Sequence, residues 1–84
     1  MIQDDALAKD ALSLIENANG QLIKSLGLVQ EKSPAEYEEF RGAMAQVLGR
    51  LFFLVMEPIY REHPSLAPAD TPKKFRDFWS KEVG

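Results

Sequence analysis

From Ser33 to His63 the chain reads as one long helix, and its second half is apolar on nearly every side. No other stretch limits the fold as tightly. Ser33 stands at the N-cap, Pro34 at the first helical position and Glu36 three residues after the serine, the pattern of a capping box. Glu36, Glu38 and Glu39 then put negative charge on the positive end of the helix dipole. Tyr37, Phe40, Met44, Val47, Leu51 and Leu54 recur at three and four residues, which is helical spacing. Leu48, Phe52, Val55 and Ile59 make a second stripe, and Phe53, Met56 and Tyr60 a third. A helix apolar all round must be covered on more than one side.

Two features modify this helix. Gly42, Ala45 and Gly49 share a face, and glycine inside a helix costs about 1 kcal/mol relative to alanine. Their placement predicts a close helix–helix contact, within a hairpin or across a dimer. Pro58 lacks the N–H that would bond the Leu54 carbonyl, and its ring crowds that carbonyl, so a kink is expected near Pro58. Length points the same way. Such a helix would span roughly 45 Å if straight. A compact chain of 84 residues has a radius of gyration of about 12 Å.

A first helix is predicted over residues 5–26, capped by Asp4 or Asp5, with Leu12, Ile15, Ala18, Leu22 and Leu26 as its stripe. The stripe keeps its phase across Gly20, so the helix is expected to continue through the Asn19-Gly20 pair. Gly27 suits a left-handed C′ residue, and Leu28 to Lys32 then forms the connection to an antiparallel partner. After the helix over 34–63, Pro64 to Pro68 reads as a stiff loop. A short helix is predicted over 72–82, with Pro72 at its start and Phe75, Phe78, Trp79 and Val83 on its apolar face. The expected architecture is all-α: a single domain over 1–84, a long antiparallel αα-hairpin plus a short C-terminal helix.

Chemistry is sparse. The single histidine, His63, lies at a helix C-terminus, where a protonated ring complements the dipole, and that role is favoured over catalysis. Glu57 could be a buried general base, but Arg61 four residues on makes a surface ion pair the simpler reading. There is no Glu-x-x-His pair, phosphate loop, nucleophile elbow or calcium loop. With no cysteine there is no disulfide, thiolate metal site or cysteine nucleophile. No metal, cofactor or catalytic residue is expected.

The acidic start, Met1 to Asp5, is unlike a signal peptide, and the unbroken apolar run Leu51 to Met56 is too short to span a bilayer. A cytoplasmic protein without a membrane partner is expected. Lys73, Lys74, Arg76 and Lys81 interleave with Phe75, Phe78 and Trp79, a pattern suited to single-stranded nucleic acid. The net charge of −3 and the shared face with Val83 argue instead for an ordinary core face. The acidic cluster of Glu31, Glu36, Glu38 and Glu39 is read as helix-stabilising charge.

The apolar segment therefore carries the functional expectation. Either the neighbouring helices cover it, or a second chain does, as a homodimeric four-helix bundle. The expected interface is Leu51, Phe52, Phe53, Val55, Met56, Ile59 and Tyr60. On this reading the chain is a non-enzymatic protein–protein interaction module, such as an adaptor, small chaperone or antitoxin-like inhibitor. The alternative is a carrier of a small apolar ligand, with Phe52, Phe53, Met56, Tyr60 and Trp79 lining a pocket.

Overall fold

A computed structural model of the chain describes residues 1–71 and residue 73. Apart from Lys73, the helix expected over 72–82, with its basic and aromatic residues, lies outside the described residues. Helix α1 spans Asp5–Lys32 and helix α2 spans Pro34–Leu51. A π-helical turn, Phe52–Met56, continues α2 into a short helix α3, Glu57–Glu62, and a 3₁₀ turn follows at Pro64–Leu66. The described residues contain no β-strand. α1 and α2 pack together as an antiparallel hairpin joined by Ser33 alone.

The start of α1 is as its sequence demands. The Asp4 carboxylate accepts the Leu7 N–H at 2.9 Å, satisfying one of the donors that a helix start leaves open. The end differs from expectation. α1 runs unbroken through Gly20 and past Gly27 to Lys32, and neither of these glycines has a positive φ. Leu28 to Lys32 is helix, not loop. The apolar stripe explains this, since Leu26 and Val29 continue it and are half-buried. Packing outweighs the local stop signal of a glycine.

Ser33 also departs from the capping box. The Glu36 N–H donates to the Ser33 carbonyl at 3.0 Å, and the Ser33 hydroxyl donates to Glu36 Oε1 at 2.9 Å. The two side chains bond each other and neither takes a free backbone N–H.

The expected disturbance at Pro58 takes the form of the π turn ahead of it. Pro58 cannot donate to Leu54, and the Glu57 N–H reaches back five residues to the Phe52 carbonyl. One extra residue in the turn sets the following helix back by roughly 100°. Met56, Ile59, Tyr60 and His63 thereby fall in line behind Leu51 and Val55, facing α1. The three apolar stripes of the sequence are largely one face read across a shift in phase.

The core lies at this end. Ala8 and Leu12 of α1 meet Met56, Ile59 and Tyr60, and Ala67 closes the cluster after the 3₁₀ turn. Leu12 is 2% exposed and Ile59 1%. The opposite end is thin: none of the residues of α2 is fully buried. The molecule is elongated, 48 × 25 × 20 Å, with a radius of gyration of 15.1 Å.

Two outcomes test this arrangement by chemical denaturation. A Cβ added at Gly20 or Gly27 meets nothing within 4 Å, so Gly20→Ala and Gly27→Ala each stabilise the chain by up to ~1 kcal/mol. Ile59→Ala costs about 2–5 kcal/mol, because it leaves a cavity in the only fully closed part of the described core.

Candidate interaction surface

The π turn divides its own residues between two environments. Phe52 packs on the core and meets Tyr60 at 6.4 Å between ring centroids. Phe53 stands edge-on to Phe52 at 5.2 Å but is itself 68% exposed, and Leu54 is 64% exposed. Val47 is half-exposed one turn and a half earlier. Gly42 and Ala45 are exposed and Gly49 is half-buried, and no described atom approaches within 4 Å of a Cβ built on Gly42 or Gly49. The close contact expected at Gly42, Ala45 and Gly49 is therefore not made between α1 and α2.

The seven residues expected to form an interface separate in the same way. Met56, Ile59 and Tyr60 are buried within the chain, and Leu51, Phe52 and Val55 pack partly against them. Only Phe53 is left as open surface. The pocket expected from Phe52, Phe53, Met56, Tyr60 and Trp79 is not assembled by the described residues. Met56 and Tyr60 are core, Phe53 points outward, and Trp79 lies outside the description. Two open hollows occur elsewhere. One, of ≈ 260 Å³, is lined by Lys9, Leu12, Ser13, Glu16 and Leu66, and another, of ≈ 330 Å³, by Val29, Glu36, Glu39, Phe40 and Ala43.

The candidate catalytic groups are both engaged. Glu57 accepts from Arg61 at 2.6 Å, the ion pair their spacing predicts. His63 is 7% exposed, not a surface residue. It caps α3 with its N–H on the Ile59 carbonyl, and its ring reaches back to the start of the chain. Nε2 lies 2.5 Å from the Ile2 carbonyl and Nδ1 2.5 Å from Asp5 Oδ1. Both partners are acceptors, so only the protonated ring, with two N–H donors, satisfies both. The Ile2 carbonyl, then the Asp5 carboxylate, raise the His63 pKa against the opposing effect of burial. Beside it the Met1 amino group pairs with Glu62 and lowers that carboxyl's pKa. Burial, with help from Glu16, pushes the Tyr60 phenol up to about 12. Sequence reading missed the His63 contact because its partners lie 61 residues away or nearly so.

Measured over the whole helix rather than its unbroken apolar run, Pro34–Glu62 is long and apolar enough to cross a membrane. It has 29 residues, with a window of mean hydropathy 1.3 that is 11% buried. Core helices of soluble proteins that pass the same test are mostly buried, which this one is not, but it carries Arg50 and Glu57 in its apolar half. A charged residue at the centre of a membrane helix costs roughly 2.5–3.5 kcal/mol.

A pH dependence follows. His63 takes up its proton more readily folded than unfolded, so the stabilisation is complete below its ordinary 6.5 and is lost as pH rises through the higher folded value. Denaturation midpoints therefore fall as pH rises above 6.5, and His63→Gln flattens the change.

No protein-family model matches this sequence, and comparison with curated proteins and with solved structures finds no match.

Proposed function

We propose that the chain is a non-enzymatic protein–protein interaction module, working in the cytoplasm, whose docking surface is the outer side of α2 and the π turn. Phe53 and Leu54 carry this reading. A π turn is a common functional device because it re-aims side chains out of helical register. Here it holds a phenylalanine and a leucine side by side in solvent, backed by Phe52. The adjoining Gly42 and Ala45 offer a shallow, small-residue track along which an apolar helix can lie close. The occupant this shape fits is an amphipathic helix of another protein, with large side chains over Gly42 and Gly49 and a recess for Phe53.

The lack of a catalytic reading supports the same view. His63 and Glu57 are the two candidate catalytic groups, and both are engaged in structural contacts. The alternative, a carrier of a small apolar ligand, is weaker because Met56 and Tyr60 fill the core where its pocket was expected. Single-stranded nucleic acid is a third reading. It rests on residues 73–81 alone.

The test compares capture by the wild-type chain with capture by Phe53→Glu/Leu54→Glu. Both residues are well exposed, so the double variant keeps its helical circular dichroism and loses the specific partner. Equal capture by both chains overturns the proposal. Flotation with anionic vesicles that depends on Phe53 would replace a protein partner with a membrane. Stoichiometric quenching of Trp79 by apolar ligands would favour the carrier.

A further inference from the structure

α1 carries more apolar surface than its partner helix covers, and the surplus is ordered. Ala8, Leu12, Ile15, Asn19, Leu22 and Leu26 form the stripe that faces the hairpin. One residue earlier runs a second stripe with alternating steps of four and three. Its large positions are Leu7, Leu14, Gln21 and Leu28, and its small positions are Ala11, Ala18 and Ser25. Because α1 is unbroken over 28 residues, the whole pattern lies along one side of one helix. Leu14 is 75% exposed, the most of any large apolar side chain described, and Leu7 and Leu28 are 57% and 58% exposed.

We propose that a second copy of this chain docks on this stripe, α1 antiparallel to α1, closing a four-helix bundle with the two α2 helices on one side. Three observations select this occupant. First, the pattern of large and small residues reads the same in both directions. About an axis between Asn17 and Ala18, Leu7 meets the partner's Leu28 and Leu14 meets the partner's Gln21, while Ala11 lies within one residue of the partner's Ser25. Small residues on every second rung let the helices approach at the short end of the ~8–10 Å range.

Second, the outer flank is self-complementary in charge. Asp10, Asn17 and Lys24 are spaced by seven residues and lie on that flank, all exposed. Antiparallel pairing sets like heptad positions of the flank against each other. Asp10 then lies within about one turn of the partner's Lys24, twice by symmetry, and Asn17 faces the partner's Asn17.

Third, the parallel arrangement is blocked. It would set the Asp10 flank against the opposite flank of the stripe, Ala8, Ile15 and Leu22, which already faces α2. Antiparallel pairing leaves that flank to the bundle interior.

This surface is separate from Phe53 and Leu54, so the two proposals stand or fall independently. The experiment is light scattering behind a sizing column over a range of concentration. The wild-type chain has twice its 9.5 kDa mass, and Leu14→Glu is monomeric with unchanged circular dichroism. Asp10→Lys alone and Lys24→Asp alone each raise the dissociation constant roughly tenfold. The double exchange restores it, and none of the three alters the apolar seam, so they report even if Leu14→Glu fails to fold. A wild-type monomer at every concentration overturns the proposal. So does a dimer that survives Leu14→Glu, or that is lost instead in Phe53→Glu/Leu54→Glu.

Discussion

The structure depends on what Pro58 cannot do. Without an N–H for Leu54, and with a ring where that carbonyl would sit, an α-helix cannot pass through the position undisturbed. The chain inserts a residue instead, and the π turn at Phe52–Met56 absorbs the misfit. The inserted residue is also what builds the core. By turning the helix it brings Met56, Ile59 and Tyr60 onto Ala8 and Leu12. The same turn leaves Phe53 and Leu54 outside. Core and candidate surface are two results of one backbone irregularity.

Cohesion is unevenly spread as a consequence. At the His63 end, buried apolar side chains are joined by polar ties between chain positions far apart in sequence. At the Ser33 end, two helices touch along half-covered faces. Local opening needs least free energy where few apolar contacts must be broken. The hairpin tip is therefore the more adaptable end of the molecule.

Much of this was legible in the residues. The helical class, the long hairpin, the continuity through Gly20, the Asp4 cap and the Glu57–Arg61 pair all follow from spacing rules that act within a turn or two. What escaped was of two kinds. Gly27 and the Leu28–Lys32 segment failed because a local stop signal was outweighed by packing against α2. The sorting of Leu51 to Tyr60 into core and surface failed for a different reason. A helix of constant period was assumed, and under that assumption a face that shifts phase looks like three faces. His63 could not be read locally at all, since Ile2 and Asp5 meet it only once the chain has folded back. The stripe from Leu7 to Leu28 is told from the core stripe beside it only by its exposure.

The single-residue link at Ser33 has a consequence of its own. Two long helices joined so tightly could straighten into one rod and exchange halves with another molecule. Ser33 precedes Pro34, and a residue before proline is disfavoured in the α-helical region. Its observed φ of −146° and ψ of 70° are far from helical. The Ser33–Pro34 step thus holds the hinge bent from the sequence upward. Exchange of helices between two copies is thereby discouraged before any tertiary contact forms.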